Sequence, residues 1–148
     1  MVETRTEGAA ARGAGEAGGR LHVRIITPER IAYEGGADGV VATAYDGEFG
    51  ILPRHAPMMV VLGIGEFRLR HGDRYEWFAI GEGFLHVLDD VVTVLTPYAE
   101  SAREIGVETA RRLEMTAAEN PLLHGTILGE EQRRRLGAIR ERVARKAR

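Results

Sequence analysis

The chain has 148 residues, 44% hydrophobic and 28% charged, with no cysteine. That length suits one ordinary domain, or a small domain with an appendage, and a compact fold of this size buries about 70% of the surface its unfolded chain exposes. A disulfide scaffold and thiolate metal sites are excluded, and the apolar runs are too short to cross a bilayer as helices, so any membrane association is expected to come through a partner. The formal net charge of −2 conceals a segregation, because residues 131–148 carry eight Lys/Arg against two Glu. An acidic body therefore bears a basic tail. This asymmetry fits an anionic partner, docking of the tail on the body, or simply a solvated charged helix.

Residues 1–20 are rich in Gly and Ala and almost without large apolar side chains. They cannot offset the entropy of ordering and are expected to form a disordered extension. The opening does not read as a secretory signal, and its three glutamates argue against an organellar transit peptide.

From Leu21 to Leu95 the hydrophobic period is two, as in Leu21-His22-Val23-Arg24-Ile25, Phe67-Arg68-Leu69-Arg70 and Tyr75-Glu76-Trp77. Turn signals punctuate the strands at Glu34-Gly35-Gly36, Asp46-Gly47, His71-Gly72-Asp73 and Asp89-Asp90. The pattern predicts an antiparallel β-sandwich or barrel over residues 21–98, with the clearest hairpin between Phe84–Leu88 and Val91–Leu95. Within it, Asp46 to Leu62 reads D-G-E-F-G-I-L-P-R-H-A-P-M-M-V-V-L. Pro53 and Pro57 fix φ and push Leu52 and Ala56 toward extended conformations, which predicts a stiff, irregular crossing between strands.

At Pro97 the period changes, and residues 99–148 are expected to be helical. Ser101-Ala102-Arg103-Glu104 has the form of a capping box, although Gly106 weakens the first turns and places the expected helix start nearer Val107. Val107, Ala110, Leu113 and Ala117 then recur at helical spacing, Asn120-Pro121 stops the segment, and a loop passes Gly125 and Gly129. A second, basic helix carries Leu136, Ile139 and Val143 on one narrow stripe. The two helices are expected to pair as an antiparallel hairpin that buries little area of its own.

No phosphate-binding loop, nucleophile elbow or H-E-x-x-H helix is present, and His22, His55, His71, His86 and His124 are widely spread. His55 reads as a loop histidine bonded to neighbouring backbone, and Trp77 as a core or interface residue. Two other readings stay open from the residues alone. One is a small β-barrel enzyme using His55 or His86; the other is an adaptor whose basic tail binds nucleic acid, against which stand the acidic body and the absence of aromatic residues after Tyr98.

The run G-x-F-G-I-L-P-x-H-A-P followed by apolar residues resembles the signature loop of the epsilon subunit of F-type ATP synthases. Gly47, Gly50, Ile51, Leu52, Pro53, His55, Ala56 and Pro57 match, with Glu48 and Arg54 in variable places. Ile80-Gly81-Glu82-Gly83-Phe84-Leu85-His86-Val87 and Val91-Val92-Thr93-Val94-Leu95 are similar to that family's G-G-F-x-E-V stretch and following V-T-V-L strand, departing at Glu82 and His86. The likeness runs from about Leu21 to Arg148.

The resemblance implies a β-sandwich followed by a C-terminal helical hairpin in a non-catalytic central-stalk subunit, without cofactor or metal. It would bind the gamma subunit and the ring of c subunits on the cytoplasmic face of a bacterial plasma membrane, without nucleic acid. The interface is expected to be built from Glu48, Ile51, Leu52, Pro53, His55 and Val60; the resemblance implies that the loop around Glu48 faces the ring, and gamma is expected on the sheet presenting some of the apolar residues between Met58 and Leu62. The resemblance also implies an inhibitory tail of Arg133, Arg134, Arg135, Arg140, Arg142, Arg145 and Lys146, meeting the alpha and beta subunits. Some members bind ATP through I-D-x-x-R-A. Here Gly106 and Thr109 replace its Asp and Arg, so ATP is expected to bind poorly.

Overall fold

A computed structural model describes residues 20–106 and 130–147. The expected extension before Arg20, the helical stripe from Val107 to Ala117 and its stop at Asn120-Pro121, the loop at Gly125 and Gly129, and Thr109 lie outside them. So does the pairing of the two helices as a hairpin.

Ten strands come first: β1 (Leu21–Ile26), β2 (Ile31–Ala37), β3 (Gly39–Ala44), β4 (Gly47–Ile51), β5 (Met58–Leu62), β6 (Gly65–His71), β7 (Arg74–Ile80), β8 (Gly83–Leu88), β9 (Val91–Leu95) and β10 (Ala99–Ser101). Two C-terminal helices follow. The first, α1, is described over residues 102–106, and the second, α2 (Glu130–Ala144), ends in a 3₁₀ turn at Arg145–Ala147.

The strands form one hydrogen-bonded path, β10-β7-β6-β3-β5-β8-β9-β1-β2, with β4 on the other side of β3. This path folds over at β3, whose residues 39–41 pair with β6 while Ala44 pairs with Leu62 of β5. The result is a two-layer sandwich, β10-β7-β6-β3-β4 against β5-β8-β9-β1-β2. The Phe84–Leu88 and Val91–Leu95 hairpin forms in the expected register. One pair departs from the antiparallel expectation, because β1 lies parallel to β9. Parallel neighbours need a long connection, and here it is the remainder of the sandwich.

The period of two determines the core. Leu21, Val23 and Ile25 of β1, Phe67 and Leu69 of β6, Leu85 and Val87 of β8, and Val92 and Val94 of β9 are all buried in one cluster. Phe78 anchors it, meeting Tyr33 and Phe67 edge-on at centroid distances of 5.6 and 6.2 Å. Burial raises the Tyr33 phenol to about 12, helped by the charge of Glu76.

On β7 the alternation stops, since Phe78, Ala79 and Ile80 are all buried. The cause is α2. Ala79 belongs to a second cluster with Tyr98, Ala102, Ile105, Leu136, Ile139 and Val143, and Trp77 packs against it. The predicted helical stripe is thus the docking surface, and burial of each of its three side chains contributes about 1.5–3 kcal/mol.

The first helix begins at Ala102, not near Val107. Ser101 N–H donates to Glu104 Oε2 at 2.8 Å and Glu104 N–H to Ser101 Oγ at 3.2 Å. This reciprocal capping box satisfies two otherwise orphaned donors and outweighs the weak propensity of Gly106. Burial pushes the Glu104 carboxyl up, but bonds from Arg30 and Ser101 with the Arg30 charge outweigh it and hold the group below its ordinary value. The contribution is therefore present above the ordinary carboxylate range and is lost as pH falls through the lowered value.

Two glycines make the packing testable. A Cβ on Gly83 would lie 2.1 Å from the Leu95 carbonyl oxygen, whereas one on Gly137 of α2 meets nothing within 4 Å. Gly83→Ala is predicted to destabilise the chain by about 1–3 kcal/mol through overpacking. Gly137→Ala should stabilise it by up to about 1 kcal/mol through helix propensity. Urea denaturation of both variants checks the opposite signs.

Candidate functional site

Three features of the described surface have no role in closing the core: the loop after β4, the outer face of the β5-β8-β9-β1-β2 layer, and the docked basic helix. The loop spans residues 52–57. The β3–β4 turn is at Tyr45-Asp46, one residue before the expected Asp46-Gly47, and Gly47 opens β4 with φ of 140°, a conformation that favours glycine. Leu52 is 58% exposed, while Ile51 is fully buried in the core. Pro53 and His55 are half-buried. His55 Nδ1 donates to the neighbouring Ala56 carbonyl at 2.7 Å, as expected of a loop histidine, which places the ring proton on that nitrogen. Glu48 is exposed on β4 and sits 3.5 Å from Arg68 of β6.

Residues 58–62 are apolar throughout, so both faces of β5 are apolar. Alternation turns Met58, Val60 and Leu62 inward and leaves Met59 and Val61 exposed. Val60 is half-buried opposite the core residue Leu85, whereas Ile51, expected at the interface, is fully buried in the core and offers no surface to a partner. The outward residues Met59 and Val61 fall within the Met58–Leu62 span expected to be apolar surface, whereas Phe84 and Leu95 beside them were not singled out from the sequence. Register aligns Val61, Phe84, Leu95, Ile26 and Ile31 across five adjacent strands. Phe84 is 54% and Leu95 51% exposed. They border an open groove of about 700 Å³, completed by Pro28 and Pro97. The signal was present in sequence as unbroken apolar runs on strands with only one face in the core.

The basic tail is partly committed to the body. Arg140 Nε and Nη2 donate to Glu100 Oε2 and Oε1 at 2.7 and 3.1 Å, a bidentate pair whose side chains are 14% and 4% exposed. The Tyr98 hydroxyl donates to the same carboxylate. Burial first, then the Glu100 charge, drives the Tyr98 phenol upward, with Arg140 opposing. Arg142 approaches Glu66 at 3.5 Å. The Lys146 ammonium lies 4.8 Å from the Trp77 ring centroid and the Arg68 guanidinium 5.1 Å from it. Trp77 thus lines the helix–sheet interface. Arg133, Arg134, Arg135 and Arg145 are exposed, with Arg135 paired to Glu131 one turn away at 2.9 Å.

Glu100 was not anticipated. The signal available was a carboxylate between apolar Tyr98-Ala99 and the capping box. The histidine–carboxylate pairs His22–Glu34 and His71–Glu76, at 3.4 and 3.3 Å, are separate. Among the described residues no group of three or more His, Asp or Glu is placed to hold a metal. Nor is any described helix long and apolar enough to cross a membrane.

Architecture and surface define a class: a two-layer β-sandwich with C-terminal helices on one layer and, among the described residues, an exposed apolar face on the other. The chain belongs to the ATP synthase delta/epsilon chain β-sandwich family, whose model matches residues 20–102. It is 42% identical over 92 residues to the ATP synthase epsilon chain of Nitratidesulfovibrio vulgaris, covering 62% of this chain and 69% of that one. Against the epsilon chain of Halalkalibacterium halodurans the identity is 40% over 108 residues, covering 68% and 81%. The fold is also similar to a chain of the Euglena gracilis mitochondrial ATP synthase, in its OSCP/F1/c-ring assembly, with TM-score 0.55, 22% identity and coverage of 93% and 85%.

The Glu100–Arg140 pair yields a prediction. Removing one partner of a buried ion pair costs about 3–5 kcal/mol, whereas replacing both with apolar side chains is often neutral. Glu100→Ala should release α2 and shift the emission of Trp77, the one tryptophan in the sequence, to the red. Glu100→Leu combined with Arg140→Met should restore the docked spectrum.

Proposed function

We propose that the chain is the epsilon-type subunit of a bacterial F-type ATP synthase, a non-catalytic part of the central stalk that couples the rotor shaft to the ring of c subunits. The observation that carries this reading is the apolar row Val61–Phe84–Leu95, exposed across three adjacent strands of the layer that α2 leaves uncovered. A monomer seldom leaves so much contiguous apolar surface in water without a partner to cover it. On this reading the row, with Met59, receives the gamma subunit. Leu52, Pro53 and His55, with Glu48 nearby, face the c ring. Its place is the cytoplasmic face of the plasma membrane, held there by those partners.

The same reading gives α2 a regulatory part. Docked, it hides its apolar stripe and commits Arg140 to Glu100, while Arg133, Arg134, Arg135 and Arg145 remain on the outside. An acidic surface on the alpha and beta subunits would compete for the helix through charge-assisted contacts. The docked helix is then the released state of a brake on ATP hydrolysis, and the balance shifts by the difference in contact free energy between the two positions.

Co-purification with a gamma subunit at near-equal stoichiometry tests the main reading, and Phe84→Glu is predicted to abolish it while leaving the circular dichroism spectrum unchanged. Retention of gamma by that variant would rule out the face. Deleting residues 130–148 is expected to raise ATPase activity of the reconstituted complex with assembly intact; unchanged hydrolysis would remove the regulatory role.

A further inference from the structure

Arg54 lies in the middle of the loop over residues 52–57 with φ of 66°, in the left-handed region that L side chains seldom occupy. Pro53 and Pro57 each fix a φ in the loop, and Arg54 is its one residue with positive φ. Its N–H donates to Asp90 Oδ1 at 2.6 Å, across 36 residues of sequence. Asp90 is itself in the β8–β9 turn, where Asp89 and Asp90 have φ of 47° and 61°. That is the geometry of a type I′ hairpin, for which Asp-Gly is a favoured pair. Glycine at position 90 would suit the turn better, so the carboxylate there is explained by the loop and not by the hairpin. The Asp90 carbonyl also accepts the His22 N–H at 2.8 Å, which fixes the residue to β1.

We infer that Asp90 is a positioning residue, whose carboxylate clamps the loop at Arg54 in the conformation that presents Leu52 outward and so preorganises it for the c ring. This rests on the proposed reading of the loop as the ring-facing surface. Preorganisation raises affinity by removing the ordering cost at the moment of binding.

The test uses the full-length chain as wild type, Asp90→Gly, Asp90→Asn and Leu52→Glu, with the detergent-solubilised c ring as probe. Asp90→Gly should leave the melting temperature unchanged or raise it, because the turn improves. It should speed hydrogen exchange at the Arg54 amide about tenfold and weaken ring binding by a similar factor, since the lost bond is to a charged acceptor. Asp90→Asn keeps an acceptor oxygen and the turn preference, and should restore slow exchange and ring binding. Leu52→Glu should weaken binding without altering exchange at Arg54. Unchanged Arg54 exchange in Asp90→Gly overturns the clamp. Faster exchange with undiminished ring binding, in a background where Leu52→Glu does weaken it, overturns the positioning role and leaves the ring-facing reading standing. If Leu52→Glu itself binds normally, that reading fails and the inferred role falls with it.

Discussion

Burying alternate residues of each strand in one dry core obliges the remaining residues to face something else, and the fold is organised by what that is. On β1 it is water, with His22 and Arg24 beside Glu34. On β7 it is α2, and the strand accordingly reads as three consecutive buried residues. On β5, β8 and β9 none of the described residues takes that place, and Met59, Val61, Phe84 and Leu95 stay exposed among them. The same rule that builds the sandwich therefore leaves a contiguous apolar row on its outer face.

The helix–sheet contact is held differently. Leu136, Ile139 and Val143 form a narrow strip, and the specificity of docking comes from one buried ion pair, Glu100 with Arg140. A stripe of this kind tolerates sliding, because apolar contact is non-directional. A bidentate guanidinium–carboxylate pair does not, since both nitrogens must meet both oxygens. The pair fixes the register of the docked helix on the sheet.

Much of this was legible from residues alone. Alternation and most of the turn signals give the strands, the Asp89-Asp90 hairpin and the stripe of the last helix, because each depends on neighbours in sequence. Glu34-Gly35-Gly36, expected as a turn, instead lies within β2, where its ladder with β1 overrides the local signal. The long-range features were not legible. Nothing local pairs β1 with β9, or sets Asp90 beside Arg54. The capping box was visible, but its competition with Gly106 was settled by reciprocal hydrogen bonds whose strength depends on where Arg30 lies. The surface residues show the same division. The loop could be found by its prolines and glycines, whereas separating Val60 from Val61 requires knowing which face of β5 meets the core.

The folding-over at β3 has a mechanical side. Its first residues are hydrogen-bonded into one layer and its last into the other, with β4 alongside. In two separate stacked sheets, shear is resisted only by side chains sliding past one another. Here the layers are also joined through the continuous backbone of β3, at the Ala44–Leu62 pair. Sliding of one layer over the other is therefore opposed at β3 by main-chain hydrogen bonds as well as by side-chain packing.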